Sequence, residues 1–163
     1  MILGFSTKLN GKPTYFVERI HKAFSLKEIY MIAGLDPSIH YPKEYNYIAK
    51  DKKPAKLHTI REDKNDRRQP GTKIDFFINC RQKNMFRFAP VLPVVSTQKI
   101  EIIYDKVFGK SIYPEVIIDE VRLHPMKLDE VAQNDGFDNL QDFFTYFNQD
   151  FKGKIIHWTN VKY

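Results

Sequence analysis

Between residues 57 and 123 the chain is a run of short apolar, strand-favouring segments cut by turn residues, and helical patterns lie only outside that stretch. The segments are 57–61, 73–79 with Ile74, Phe76, Phe77 and Ile78, then Met85-Phe86-Arg87-Phe88, 94–104 and 112–123. Pro70-Gly71, Lys83-Asn84 and Phe108-Gly109-Lys110 mark turns between them. Pro90 and Pro93 bracket a bend, and Pro114 marks an edge or a bulge. Further strands are expected at 2–7 and 154–158. A chain punctuated this way must assemble sheets from segments distant in sequence and pack its few helices against them.

The helical patterns are short. After the turn Asn10-Gly11-Lys12-Pro13, Thr14 caps a helix carrying Phe16, Ile20 and Phe24 at helical spacing. Ser25-Leu26-Lys27-Glu28 is a capping box that opens a second helix through Ile29 and Ile32 to Gly34. Residues 36–54 are rich in tyrosine, lysine and proline and lack clear periodicity, which marks a long loop or an insertion. Near the other end, 125–134 forms a helix bearing Leu128 and Val131, followed by an Asp135-Gly136 turn. Asp138 is expected to cap the next helix, whose apolar face is Leu140, Phe143, Phe144 and Phe147. The expected class is α+β: a mostly antiparallel sheet curled into a small barrel, closed by pairing of the first and last strands.

At 163 residues the chain fits one domain, large enough to build a core without staples. A hydrophobic content of 42%, with 14% aromatic residues, excludes a disordered chain. The single cysteine, Cys80, excludes an internal disulfide and a paired-cysteine zinc site; in its apolar strand pattern it is expected to be a buried thiol. No signal-peptide pattern and no run of roughly 18 apolar residues occurs. The expectation is a soluble cytoplasmic protein without a membrane partner. The five histidines, His21, His40, His58, His124 and His157, are spread without metal-site spacing and are expected to be surface or packing residues. No phosphate-cradling loop, dinucleotide fingerprint or nucleophile elbow is present, so neither metal nor cofactor is expected.

The charge is informative by its place. The net charge is +6, and residues 50–68 hold eight basic and four acidic side chains. Lys52, Lys53, Lys64, Arg67 and Arg68 in this flank form either a solvated mixed-charge loop or a phosphate-binding surface beside a site. Within it lies Lys56-Leu57-His58-Thr59-Ile60-Arg61. In a regular strand Leu57, Thr59 and Arg61 would face one way, and Lys56, His58 and Ile60 the other. Only a bend or bulge at the strand start brings Lys56 to Thr59. A desolvated lysine beside a hydroxyl can act as its base, given a carboxylate to orient it.

That segment resembles the Lys-x-x-Thr-Ile-Arg signature of ASCH domains, a branch of the PUA-like superfamily. Phe16-Val17-Glu18-Arg19-Ile20 resembles the helix before the signature, and Gln69-Pro70-Gly71-Thr72 the turn after it. Asn134-Asp135-Gly136-Phe137 and the helix that follows resemble the family's Glu-Gly-Phe turn and helix, with aspartate in place of glutamate. The resemblance implies one PUA-like domain over 1–163, with an insertion at about 25–54, and a cleft lined by the signature. It implies RNA or nucleotide binding, with Arg61 holding substrate or the loop; the basic flank would then meet phosphates, and Tyr41, Tyr45 and Tyr47 would either stack bases or pack the insertion on the barrel. It also implies, as an alternative, an amidohydrolase that removes the acyl group from N-acetylcytidine-type nucleosides, with Lys56, Thr59 and Asp135 as the catalytic set. A protein-interaction adaptor with a vestigial cleft is a third expectation.

Overall fold

The computed structural model describes residues 1–23, 53–104 and 113–163. The helix expected from Ser25, the tyrosine-rich stretch after it and the turn at 108–110 lie outside the described residues.

Two sheets carry the fold. In the first, β1 (Ile2–Phe5) runs parallel to β5 (Lys73–Ile78), and β5 pairs antiparallel with β6 (Phe86–Arg87) and β7 (Leu92–Pro93). In the second, β10 (Val121–Arg122), β9 (Glu115–Ile118), β8 (Ser96–Ile103), β11 (Phe151–His157) and β4 (His58–Arg61) follow one another, all antiparallel. β2 (Lys8–Leu9) and β3 (Lys12–Pro13) form a separate hairpin. Its turn places Asn10 and Gly11 at φ 49° and 77°, the left-handed pair that a two-residue hairpin requires.

The class is α+β and mostly antiparallel, but no ladder among the described strands joins the two sheets into a closed barrel. The expected pairing of first and last strands does not form. β11 has β8 along one edge and β4 along the other, so both its hydrogen-bonding edges are filled, and β1 pairs with β5 instead.

Alternation along β11 explains how two cores share one strand. Ile155 and Ile156 are both fully buried and point to opposite faces. Ile156 joins Leu3, Phe5, Ile74, Phe76, Phe88 and Trp158 in the first core, under α1 (Phe16–Ala23). Ile155 joins Ile60, Ile100, Ile102 and Val116 in the second, under α2 (Leu128–Asn134) and α3 (Leu140–Tyr146). Offset and edge-on rings fill the first core: Phe5 and Phe76 lie 5.8 Å apart, Phe76 and Trp158 5.2 Å. No described helix is long and apolar enough to cross a membrane.

Three local expectations are corrected. The stretch 112–123 is not one strand: Asp119 and Glu120, at φ 48° and 70°, turn the chain between β9 and β10. Asn139, not Asp138, caps α3, its side chain accepting from the Asp142 amide at 2.8 Å, which leaves Asp138 free to pair with cations. Cys80 lies past the end of β5 and is half-buried, against Gly4.

Gly153 sits in the middle of this arrangement. A Cβ there would lie 2.5 Å from the Arg61 carbonyl oxygen and 2.7 Å from the Phe151 ring. Gly153→Ala should therefore cost about 2 kcal/mol or more in urea denaturation, because backbone of β4 must move. An unchanged midpoint would contradict this packing.

Candidate functional site

Lys56 reaches the site because the chain bends before β4. Its amide donates to the Arg19 carbonyl of α1 at 3.0 Å, and the Leu57 amide donates to the Asn134 carbonyl of α2 at 2.8 Å. These two bonds pin residues 56 and 57 between the middle of α1 and the end of α2, so the strand alternation starts only at His58. The Lys56 side chain then turns inward, and 1% of the residue remains exposed.

Its partner is placed by a helix end. After α2 the Gly136 amide donates to Gln133 and the Phe137 amide to Ala132, the bond pattern of a Schellman stop, with Gly136 at φ 89°. A Cβ on Gly136 would lie 3.0 Å from both the Lys56 stem and the Phe16 ring, so glycine is needed twice over. The stop turns Asp135 inward. Its Oδ1 accepts from Lys56 Nζ at 2.7 Å and from the Ile60 amide at 3.1 Å. Nζ also donates to the Asp135 backbone oxygen and lies 4.7 Å from the centre of the Phe16 ring.

Burial acts on both partners. It pulls the Lys56 ammonium down to about 8, opposed by the Asp135 charge beside it. It pushes the Asp135 carboxyl up, opposed by Lys56 and Arg61. The shorter aspartate thus meets the lysine directly.

Thr59 is 3% exposed, and its hydroxyl has no hydrogen-bond partner among the described residues. Arg61 donates to the Gly4 carbonyl at 2.7 Å and lies over the Phe5 ring. Lys56, Thr59, Ile60, Arg61 and Asp135 line one hollow of about 30 Å³, walled by Ser6, Leu9, Phe16 and Tyr146. That volume is roughly one water molecule's share of liquid. Ile60, Arg61 and Tyr146 also line a cleft of about 410 Å³ with Glu62, Arg68, Phe147, Asn148, Gln149 and Phe151. A second cleft of about 350 Å³, between the β2–β3 hairpin and α3, shares Leu9 and Phe16 with the hollow.

Three described side chains of the basic flank pair with carboxylates, Lys64 on the exposed surface. Lys53 pairs with Asp138 at 2.7 Å, Lys64 with Glu62 at 3.0 Å, and Arg68 with Asp63 at 3.1 Å. Arg67 is exposed and its side chain has no ion pair among the described residues; Lys52, Tyr41, Tyr45 and Tyr47 lie outside them. No group of three metal-ligating side chains occurs among the described residues.

The sequence reading missed the polar layer behind Asp135. His58 and His157 are fully buried with ring centres 5.2 Å apart, and Tyr163 hydrogen-bonds His58. Their expectation as ordinary packing residues overlooked that His58 lies two positions from Lys56 in the signature, next to Thr59. Nothing in the local pattern marks Tyr163, which is held by Gln98 through both its amide and its carbonyl.

Two outcomes follow for stability. Lys56→Met alone or Asp135→Asn alone strands one buried ionisable group and should cost about 3–5 kcal/mol, and the double variant less than their sum. Small additive losses in urea melts would contradict the buried pair. The second concerns acid. Burial holds His21 down to about 3 and His157 to about 4, and holds His58 well below its ordinary range. The unfolded chain takes up these protons near pH 6.5. Stability should therefore fall as the pH drops from about 6.5 toward 4, with Asp135 opposing in part, at a slope of about two to three protons. A urea midpoint that is flat down to pH 4.5 would contradict it.

Comparison with protein-family models, with curated proteins and with solved structures found no match to this chain.

Proposed function

We propose that the protein is an amidohydrolase of the ASCH kind, in a PUA-like arrangement, acting on a small acyl amide carried by a nucleoside-like amine. One observation carries the reading: a buried lysine bound to a carboxylate, and a threonine hydroxyl without a partner among the described residues, line the same hollow. The pair costs the fold desolvation, and Lys56 is held near the pH at which an amine is useful as a base. In the first step Thr59 Oγ attacks the acyl carbonyl carbon while its proton passes to the neutral Lys56 amine. The C–N bond then breaks, and the leaving amine takes that proton. Water attacks the Thr59 ester, Lys56 again accepts the proton, and the carboxylic acid leaves as the threonine hydroxyl is restored. Asp135 orients the amine throughout.

The sizes support a division of the substrate. A hollow of about 30 Å³ receives at most the methyl or carbonyl tip of a small acyl group, while a cleft of about 410 Å³ lies in the range of small-ligand sites and can hold a nucleoside. An extended RNA surface has less support, since Lys53, Lys64 and Arg68 already hold carboxylates.

The test is turnover of N-acetylcytidine, followed by chromatography. Thr59→Val, which keeps shape and removes the hydroxyl, should lose at least about 100-fold in kcat/KM. Because the neutral amine is the active form, kcat/KM should rise about tenfold per pH unit and level off above about 8. Equal turnover by Thr59→Val and the unaltered protein would overturn the reading.

A further inference from the structure

Behind Asp135 a chain of contacts leads away from the hollow. His58 is fully buried, with Nε2 2.8 Å from the Tyr163 hydroxyl oxygen. The same oxygen accepts from the Asn134 side-chain amide at 2.7 Å. The His58 Nδ1 has no hydrogen-bond partner and lies 3.8 Å from Asp135 Oδ1. We propose that His58 is a positioning residue for Asp135: the Tyr163 hydroxyl donates to Nε2, so the ring carries its proton on Nδ1, facing the carboxylate.

The contacts on both sides of the ring select this tautomer. Asn134 occupies the phenol oxygen as a donor, so the phenol hydrogen needs an acceptor of its own, and Nε2 is the one within reach. A proton on Nε2 would leave that hydrogen, on a half-buried phenol, without a protein acceptor among the described residues. It would also turn the Nδ1 lone pair toward the Asp135 oxygen, which is repulsive, whereas an N–H there is attractive. The groups facing His58 oppose a second proton: the Lys56 ammonium and the His157 ring both disfavour its charged form, and burial does so most. A neutral ring therefore offers Asp135 a dipole without adding a charge that would compete with Lys56. At 3.8 Å this is a charge–dipole contact; a hydrogen bond needs the pair to close by roughly 1 Å.

The catalytic meaning of this contact rests on the hydrolase reading, but the tautomer does not, and the experiment separates them. Long-range ¹H–¹⁵N correlation on the full chain reads which His58 nitrogen carries the proton. The Nδ1–H form is expected, moving toward Nε2–H in Tyr163→Phe; an Nε2–H ring in the unaltered protein would overturn the proposal. A second readout is the Asp135 carboxyl titration by ¹³C NMR. His58→Asn keeps an N–H near the Nδ1 position and should leave the midpoint unchanged, while His58→Phe removes it and should shift the midpoint upward. Equal midpoints in both variants would overturn the positioning role, whether or not N-acetylcytidine is turned over.

Discussion

An ammonium group taken out of water costs several kcal/mol unless it is met by charge and hydrogen bonds, and Lys56 is 1% exposed. The rest of the site follows from how that cost is met. Asp135 supplies the charge, the backbone oxygen at the end of α2 supplies a second acceptor, and Phe16 lends a ring face. Each contact requires something of a different element. The Schellman stop must turn Asp135 inward, Gly136 must leave room for the lysine stem, and α1 must present Phe16. The Ile60 amide donates to the same carboxylate oxygen and ties β4 to the pair. A buried pair of this kind adds little net stability over apolar side chains. In the proposed hydrolase, its place beside the Thr59 hydroxyl gives that cost a chemical use.

The fold serves this geometry through β11. Consecutive buried isoleucines on that strand anchor two cores, and β4 lies along its edge with Thr59 opposite Ile156. The position of Thr59 is thus set by a strand shared between both cores. The close approach at Gly153 seats the end of β4, where Arg61 leaves toward Gly4. Three elements distant in the chain, α1, β4 and the α2 stop, meet on a rigid frame.

Much of this was legible in the residues, and the gaps have physical causes. The α+β class followed from the turn-punctuated strand segments, and the convergent residues from the signature and the Asp-Gly-Phe turn. The bend that brings Lys56 inward depends on bonds to Arg19 and Asn134, which no local pattern encodes. Asp138 looked like a cap because it has the right chemistry; Asn139 took that place, and Asp138 went to Arg19 and Lys53. Asp119 and Glu120 hid a hairpin because neither is glycine, yet both adopt left-handed backbone. The basic flank looked available for phosphates because composition does not reveal which carboxylates will fold against it. Tyr163 was unreadable because its partners, His58, Asn134 and Gln98, are assembled only by the tertiary fold.

The proposed chemistry turns on the state of one buried amine. ¹³C NMR titration of the Lys56 Cε resonance in the unaltered protein measures it without substrate and without a variant that must fold. The arrangement described here places the midpoint near 8, pulled down by burial and held from falling further by Asp135. A midpoint near 10.5, the value of a lysine in water, would mean that the amine is solvated and that the pair, and the chemistry built on it, are not as described.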